Sequence, residues 1–388
     1  CGIGCKYGSA NLKYKDNNII YNIKDGLAHF IEHKLFQMPN NIDAYQEFDK
    51  LNVEANAYTT HDKTVYFFNT VENIKEPLKL LLEMYFTPVF TEEDVEREKD
   101  IIISEIKMTN DNMIFNKSYK IINQTYPNDD YASLLTGSIE SVKSTSKEEL
   151  DNIYKLFYNP NNSILTIISS LEPNEVFSYI ESCLSNLTFY YSNIEKLPII
   201  SSKKPLNPQE INENIYQDEA HIILRIDNLS SSDNVKFEIL MSIFENIFSI
   251  SSKYTNKLIK KKLFENDIDF ECTSFKDSTY AVITAPSKKS YKFVNNIVNK
   301  LNNLSIKDID KELLDIRLKY IKSDYILSLD NISYLGDQIL SLALEDLDYF
   351  ETIKNINNIN YESLDEIINV IRNCNKTYLI MKSKKVEI

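Results

Sequence analysis

The stretch "GLAHFIEHKLF", residues 26–36, contains two of the four histidines in a chain of 388 residues. His29 and His33 are four residues apart, and Glu32 lies between them in a run that is apolar except for Lys34. On a helix, residues four apart face the same direction, and residue 32 lies about 60° to one side of them. Two imidazoles and one carboxylate are therefore predicted to converge on a single spot.

This grouping has two interpretations. Neutral imidazoles are good zinc ligands, and a carboxylate beside a zinc-bound water can take its proton once the metal has lowered the pKa of that water to about 7. The alternative is a pair of hydrogen-bonded core histidines beside an ordinary salt-bridging glutamate. Three buried polar groups without partners would cost about 1 to 3 kcal/mol each, so a partner must satisfy them. We therefore favour a metal site with a neighbouring base, in which manganese or cobalt could replace zinc.

A second segment, "TEEDVEREKDIIISEIKM" at residues 91–108, is predicted to be a helix that supplies a further ligand. Glu98 and Glu105 are seven residues apart and share a stripe with Ile101 and Ile102, which predicts that the stripe faces the core. Neither glutamate has a lysine or arginine three or four residues away, so a helical salt bridge does not explain them. Both are candidates for metal binding or catalysis.

Composition excludes several other classes of protein. A formal net charge of −14 opposes nucleic-acid binding and favours neutral or basic substrates. No apolar run approaches the roughly 20 residues of a membrane span. The five cysteines form neither a disulfide framework nor paired metal ligands, so we expect a soluble protein in the reducing cytoplasm. Export stays open, because the chain begins in what reads as the middle of a strand.

The first half of the chain alternates short apolar strands with longer helical patterns. His61 and His221 are isolated among strand residues and are predicted to be surface or packing histidines. The predicted strands cover residues 18–23, 53–59, 64–71 and 163–169. The predicted helices cover residues 25–37, 43–51, 74–86, 91–108 and 147–157.

The second half repeats this order of elements after a segment with three prolines and no periodicity. It contains the strand "HIILRI" (221–226), the helix "VKFEILMSIFENIF" (235–248) and the strand "TYLIMKS" (377–383). We predict an α+β fold of two similar halves, each a mixed, mainly antiparallel sheet packed with helices, related as a diverged tandem repeat. The predicted domains are a catalytic half at 1–190, a linker at 191–216 and a non-catalytic half at 217–388.

Three motifs resemble those of the inverted zinc metallopeptidases, the superfamily of pitrilysin, insulysin and the mitochondrial processing peptidase, and in particular its shorter two-domain bacterial members. "GLAHFIEHKLF" resembles the zinc-binding helix, which implies His29 and His33 as ligands and Glu32 as the general base. "EREKDIIISEI" resembles the downstream helix, which implies Glu105 as the third ligand and Glu98 as a residue that supports catalysis.

The third motif, "ANAYTTHDKTVYF" at residues 55–67, resembles the substrate-binding edge strand of that superfamily. The resemblance implies that Asn56, Ala57 and Tyr58 pair with an extended peptide backbone and line a side-chain subsite. In the second half we find no counterpart of the glycine-containing turn, or of the arginine and tyrosine, that help relatives to hold substrate.

The resemblance implies a zinc endopeptidase or oligopeptidase, with one zinc per chain, that acts on peptides or unfolded segments. Because an open zinc site on an exposed sheet edge must be enclosed, we expect a chamber formed by a homodimer or by a heterodimer with a related subunit. One alternative is a non-catalytic scaffold or partner subunit, which the complete motif disfavours. Another is a dedicated maturation protease for one biosynthetic peptide.

Overall fold

A computed structural model describes residues 1–197, 199, 206–227, 229–230, 233–276, 278–356 and 358–384. The middle of the predicted linker, residues 198 and 200–205, lies outside the described residues. The chain divides into two compact units. The first unit consists of Cys1–Asn116, Asp129–Ile200 and Ser328–Tyr349, and the second of Lys117–Asn128, Ser201–Leu327 and Phe350–Ile388.

The part of the chain up to residue 197 contains nine strands and eight α-helices among its described residues. The strands are β1 (Gly2–Cys5), β2 (Lys13–Asp16), β3 (Ile19–Asn22), β4 (Gln37–Met38), β5 (Ile42–Asp43), β6 (Glu54–Thr59), β7 (Thr64–Asn69), β8 (Ser163–Thr166) and β9 (Glu195–Lys196). The helices are α1 (Leu27–Leu35), α2 (Ala44–Lys50), α3 (Lys75–Phe86), α4 (Glu92–Asp111), α5 (Met113–Thr125), α6 (Ile139–Ser144), α7 (Lys147–Phe157) and α8 (Pro173–Leu184).

The part of the chain from residue 206 has a similar alternation. Its strands are β10 (Gln209–Glu213), β11 (Glu219–Ile226), β12 (Asp269–Ser274), β13 (Thr279–Pro286) and β14 (Asn375–Ser383). Its helices are α9 (Asn234–Phe248), α10 (Lys253–Lys260), α11 (Ser290–Asn302), α12 (Lys311–Ser328), α13 (Ile332–Leu344), α14 (Tyr349–Ile356) and α15 (Leu364–Asn373).

The predicted elements of both halves are confirmed, with small shifts at their ends. In the first half the four predicted strands are β3, β6, β7 and β8, and the five predicted helices are α1, α2, α3, α4 and α7. In the second half the predicted strands are β11 and β14, and the predicted helix is α9. Hydrophobic periodicity identified most of these elements because they bury one face or stripe. Strand β3 is an exception, since all four of its residues are exposed.

The sheets of the two units confirm the predicted tandem repeat. In the first unit the strand order is β6-β7-β1-β8 with all pairs antiparallel, so β6 is an edge strand. In the second unit the order is β10-β14-β11-β13-β12, where only the β10–β14 pair is parallel. Strands β12, β13, β11 and β14 therefore correspond to β6, β7, β1 and β8, and β10 is an addition.

Each unit also contains a helical segment from the other half of the sequence. In the first unit, α13 packs on β1 and β8. A Cβ atom at Gly2 or Gly4 would lie 3.0 Å from Leu340 or 2.9 Å from Leu344, so only glycine allows this close approach. In the second unit, the end of α5 contacts the sheet, since Nε2 of Gln124 donates a hydrogen bond to the carbonyl of Tyr378 on β14 at 2.9 Å. The predicted domain bounds follow sequence order, and they stay a prediction. The two compact units differ from them because each includes a segment from the other half of the sequence.

Candidate metal centre

Helix α1 begins at a position that requires glycine. Gly26 has φ +83°, and a Cβ atom there would lie 2.6 Å from the carbonyl oxygen of Thr136. The start of the helix is therefore fixed against the loop at 136–137. The apolar side chains of α1 are buried in the core of the first unit, and this burial sets the rotation of the helix. Residues 29, 32 and 33 are therefore directed towards α4 and β6. The buried apolar residues are Leu27, Ala28, Phe30, Ile31 and Leu35.

The structure brings His29, His33 and Glu105 together. Nε2 of His29 lies 3.6 Å from Oε1 of Glu105, and Nε2 of His33 lies 3.6 Å from Oε2 of the same carboxylate. One ligand atom from each residue lies within 4.8 Å of the others. Donors bound at 2.0–2.2 Å to one tetrahedral ion are roughly 3.3–3.6 Å apart. The two imidazoles and the carboxylate therefore fit a single zinc-sized cation with little movement.

Glu98 lies behind His33 rather than inside this group. Its Oε1 is 2.9 Å from Nδ1 of His33, the ring nitrogen that faces away from Glu105. Its Oε2 is 3.9 Å from Nζ of the buried Lys34, which also donates a hydrogen bond to Gln37. A carboxylate on the second nitrogen of a metal-binding histidine fixes the tautomer and the orientation of the ring.

The charges at this site shift the pKa values of its members. Burial alone would lower the pKa of His33, but the hydrogen bond to Glu98 and the charges of Glu98, Glu32 and Glu105 outweigh it, and the pKa is raised. The polar contact with His29 lowers the pKa of Glu105 against the effect of burial, helped by the charges of His29 and His33. The neighbouring carboxylates thus favour the charged form of His33, and the two imidazoles favour the charged form of Glu105.

Glu32 is held beside the three candidate ligands by the edge strand. Oγ1 of Thr59, the last residue of β6, donates a 2.6 Å hydrogen bond to Oε2 of Glu32. This contact orients the carboxylate and leaves its second oxygen available. Sequence reasoning missed Thr59, although it directly follows the three residues that the edge-strand resemblance singled out.

The three predicted substrate-binding residues have different environments. The N–H of Thr60 donates to the carbonyl of Lys63 at 2.8 Å, so the alternation of an antiparallel ladder directs the backbone of Asn56 and Tyr58 to β7 and that of Ala57 to the open edge. The N–H of Ala57 donates to Oδ1 of Asn56 at 2.8 Å. The Tyr58 side chain lies on the sheet face opposite to Thr59 and contacts α13.

The prediction that Glu98 and Glu105 share a core-facing stripe is wrong in part. Ile102 is fully buried, but Ile101 is 55% exposed. Helix α4 packs through a neighbouring stripe that includes Val95, Ile102 and Ile106, and this leaves the Glu98 side open. A groove of about 970 Å³ borders the site there; its lining includes Glu32, His33, Tyr45, Arg97, Glu98 and Ile101.

The other predicted features are less specific. His221 is fully buried in β11 with Nδ1 2.9 Å from Oγ1 of Thr284, and burial lowers its pKa to about 3, as expected for a packing histidine. His61 is half-buried, and burial lowers its pKa as well.

All five cysteines are free thiols. Among the described residues no helix combines the length and the hydropathy needed to cross a membrane.

Two repeats of sheet and helices, with His29, Glu32 and His33 on one helix of the first repeat, define the class of inverted-zincin metallopeptidase folds. Family models support the same class. The model described as insulinase (peptidase family M16) matches residues 21–136, and the model described as the peptidase M16 inactive domain matches residues 144–319. The chain belongs to peptidase family M16.

Individual relatives extend over most of the chain. The uncharacterized zinc protease YmfH of Bacillus subtilis (strain 168) is 25% identical over 370 residues, which cover 94% of this chain and 86% of that protein. The crystal structure of a putative M16-like peptidase from Alicyclobacillus acidocaldarius has a TM-score of 0.88 at 22% identity and covers 99% of this chain and 92% of that chain. The periplasmic protease PqqL from Escherichia coli has a TM-score of 0.78 at 16% identity, with 99% of this chain and 45% of that chain covered.

Proposed function

We propose that this chain is a zinc-dependent endopeptidase or oligopeptidase that hydrolyses peptides or unfolded segments. The observation that carries the proposal is the pair of 3.6 Å distances from His29 and His33 to Glu105, with the Glu32 carboxylate oriented beside them. His29, His33 and Glu105 would hold one zinc ion, since three protein ligands leave a fourth position for water or substrate. A relative named as a zinc protease, YmfH, supports the choice of metal.

The residues of the site have distinct roles in this proposal. Zinc, when bound, supplies Lewis-acid polarisation of the scissile carbonyl and lowers the pKa of a water to about 7. Glu32 accepts a proton from the attacking water on its carboxylate and transfers it to the leaving amine as the C–N bond breaks. Thr59 keeps Glu32 oriented for both transfers. Glu98 holds His33 through Nδ1, so that Nε2 is directed towards Glu105.

Substrate would bind as an additional strand on β6. The backbone of Ala57 is directed to the open edge of the sheet, where an extended peptide can pair with it, while Asn56 flanks this position. Because folded proteins rarely offer a free extended strand, this mode favours peptides and unfolded segments. The net charge of −14 favours neutral or basic ones.

Two other functions compete with this proposal. A non-catalytic scaffold or partner subunit would need no convergent ligand set, and the geometry of His29, His33 and Glu105 therefore favours the enzyme. A dedicated maturation protease for one biosynthetic peptide would use the same site, and it differs only in substrate range. A peptide-library digest distinguishes these cases: many products indicate general turnover, a single sequence indicates maturation, and none indicates a scaffold.

The deciding experiment combines metal analysis with that digest. Purified protein should contain about one zinc per chain and cleave peptides, and a chelator should abolish cleavage. The variant Glu32→Gln should retain the zinc and lose the activity, because it removes the base but no ligand. Wild-type cleavage by zinc-loaded Glu32→Gln would contradict the assignment of Glu32 as the general base.

We also propose that the active form is a homodimer, or a heterodimer with a related subunit, and that it works in the cytoplasm. An open metal site beside an unpaired edge strand would attack unintended chains unless a partner encloses it. The structural match with PqqL covers 45% of that chain, so this relative is about twice as long as the matched part. Light scattering with activity measured across a concentration series tests this, and a fully active monomer would contradict it. A stable pair should bury more than about 1,000 Å².

A further inference from the structure

We propose that Asp337, on α13, is a positioning residue that holds the edge strand β6 in place for peptide binding. This inference rests on the proposed peptidase function. Helix α13 lies in the second half of the sequence but in the first compact unit, and it lies beyond both ranges matched by the family models. Nothing in those matches assigns it a role.

The central contact joins Tyr58 of β6 to Asp337. The Tyr58 hydroxyl donates a 2.5 Å hydrogen bond to Oδ1 of Asp337 and lies 3.4 Å from Oγ of Ser341, one helical turn further along α13. Burial and the Asp337 carboxylate raise the pKa of Tyr58 above its ordinary value, so the phenol stays protonated as the donor at neutral pH. A hydrogen bond to a charged acceptor is stronger than one between neutral groups.

A second contact lies on the other side of the β6–β7 turn, at Lys63, the residue before β7. Nζ of the buried Lys63 lies 2.7 Å from Oε1 of Glu345 and 3.4 Å from the carbonyl oxygen of Ser341. Asp337 and Ser341 lie one turn apart on one face of α13, and Glu345, the residue that follows the helix, continues the same four-residue spacing. Together with Tyr58 and Lys63 they form a set of contacts that we call the clasp. The clasp contacts the hairpin on both sides of the β6–β7 turn.

The clasp is anchored on a well-packed base. Leu340 and Leu344, on the adjacent face of α13, are buried against Val65 and fill the space that Gly2 and Gly4 leave free in β1. Because α13 is fixed in this way, Asp337 and Glu345 act as fixed points for the hairpin. The edge strand is thus held by β7 on one side and by the clasp on one face.

The position of Tyr58 within β6 connects the clasp to the reaction. Successive side chains of a strand point to opposite faces, so Tyr58 is held by Asp337 on one face while Thr59 orients Glu32 on the other. Next to Tyr58, the backbone of Ala57 is directed to the open edge of the sheet, where the substrate would pair with it. A strand that is already fixed in its binding conformation loses less conformational entropy when a peptide pairs with it. The clasp should therefore act mainly on substrate affinity.

The test compares kcat, KM and zinc content in single and double variants. Asp337→Ala should raise KM about tenfold, as expected for loss of one charge-assisted hydrogen bond, with kcat changed less than about twofold. Tyr58→Phe should raise KM to a similar extent, and the double variant should be no worse than either single one. Asp337→Asn keeps an acceptor oxygen but loses the charge, so its KM should lie between those of wild type and Asp337→Ala. A KM that is unchanged in Asp337→Ala, or effects that add in the double variant, would overturn the inference.

The matched control is Asp346→Asn. Asp346 follows the same helix and forms an exposed 2.5 Å ion pair with Lys6, but it does not touch β6. This variant should leave KM unchanged, and a rise equal to that of Asp337→Ala would mean that general loosening of α13 is responsible. Hydrogen exchange over residues 54–59 should accelerate in Asp337→Ala and not in Asp346→Asn.

The design separates failure of this inference from failure of the proposed function. If wild-type protein cleaves no peptide, the proposed function fails before the clasp is tested. If wild type is active and Asp337→Ala matches it, only the positioning role fails. Binding of a fluorescent peptide to zinc-loaded Glu32→Gln protein, with and without Asp337→Ala, measures affinity without turnover, and the expected result is again about a tenfold loss.

Discussion

Helix α1 of the first unit and helix α9 of the second unit occupy corresponding places in the two repeats, but their polar side chains are satisfied differently. On α9, Asn246 exchanges two hydrogen bonds with the backbone of Asp310, at 2.8 and 2.9 Å, and Ser242 donates to a carbonyl on its own helix. On α1, His29 and His33 face a carboxylate from another helix, and Nδ1 of His29 has no hydrogen-bond partner among the described residues.

The difference shows what a shared scaffold leaves open for chemistry. In the second repeat, Asn246 and Ser242 of α9 are hydrogen-bonded to backbone groups, so these side chains contribute to stability. In the first repeat the helix presents nitrogen and oxygen atoms that converge with one another and border an open groove. The Nε2 atoms of His29 and His33 lie 3.6 Å from the Glu105 carboxylate, too far for good hydrogen bonds and close enough to share one metal ion.

The largest effect is expected from removal of the two imidazoles of α1, which distinguish this helix from α9. The double variant His29→Ala, His33→Ala should lose both zinc and activity completely, because one carboxylate cannot hold the ion alone. Metal analysis of the purified variant checks this, with His61→Ala as the control that should keep its zinc. Full zinc occupancy in the double variant would mean that the site lies elsewhere.

The base can be separated from the ligands on the same helix. Glu32→Gln should keep the zinc and reduce kcat by about 10²- to 10⁴-fold, the usual contribution of a general base. Steady-state kinetics beside metal analysis measure both quantities. Glu93→Gln is the matched control, since this glutamate lines the same groove without a role in the proposal. Wild-type turnover in Glu32→Gln would assign the base to another group.

Glu98 should have a smaller effect, because it acts through His33. Glu98→Gln keeps the shape of the side chain and removes its charge, and losses of this kind typically reduce metal affinity or activity by 10- to 100-fold. Zinc titration with a competing chelator, together with kcat, gives both numbers. If metal affinity and turnover are both those of wild type, Glu98 is merely a tolerated polar residue.

The second unit should respond in stability instead of chemistry. Asn246→Ala leaves the N–H and carbonyl groups of Asp310 without their partner, so the free energy of unfolding should fall by about 1–3 kcal/mol. Urea unfolding checks this, and zinc content should stay unchanged. A loss of zinc in this variant would show that the second unit also affects the metal site, and this would contradict the comparison.

The smallest expected effect is a dependence of stability on pH, which arises from Asp94 on helix α4. Burial alone would raise the pKa of Asp94, but hydrogen bonds from Thr91, Gln37 and Arg97 lower it to about 2. Since the folded pKa is depressed, this stabilisation is present above the unfolded pKa near 4 and is lost as the pH falls towards 2. Acid unfolding of Asp94→Asn should therefore be shallower than that of wild type, whereas the exposed Asp100→Asn should match wild type.

Local patterns were enough to identify the two helices that bear the candidate site and to propose metal-binding chemistry there. The spacing of His29, Glu32 and His33 is a property of one helix, and a helix is periodic regardless of what surrounds it. The same reasoning gave Glu98 and Glu105 as candidates on α4, but it could not separate their roles. Only the resemblance to known peptidases implied that Glu105 is the ligand, and the distances to His29 and His33 support that division.

Periodicity failed where the answer depended on what a face meets. The stripe of α4 that includes Ile101 reads as apolar, yet it borders an open groove, because the packing of the helix is decided by a neighbouring stripe. A sequence pattern states that a face is apolar or polar and does not state whether another element covers it.

The sequence by itself therefore determined the tandem α+β repeat and the convergence of two histidines and a glutamate on one helix, since both follow from short-range periodicity. Only the tertiary structure decided that α13 belongs with the first sheet and that Asp337 holds Tyr58, a contact between residues 279 positions apart. No local pattern encodes such a pairing. It depends on how a distant segment packs against glycines at 2 and 4, and shape complementarity of that kind exists only after the chain has folded.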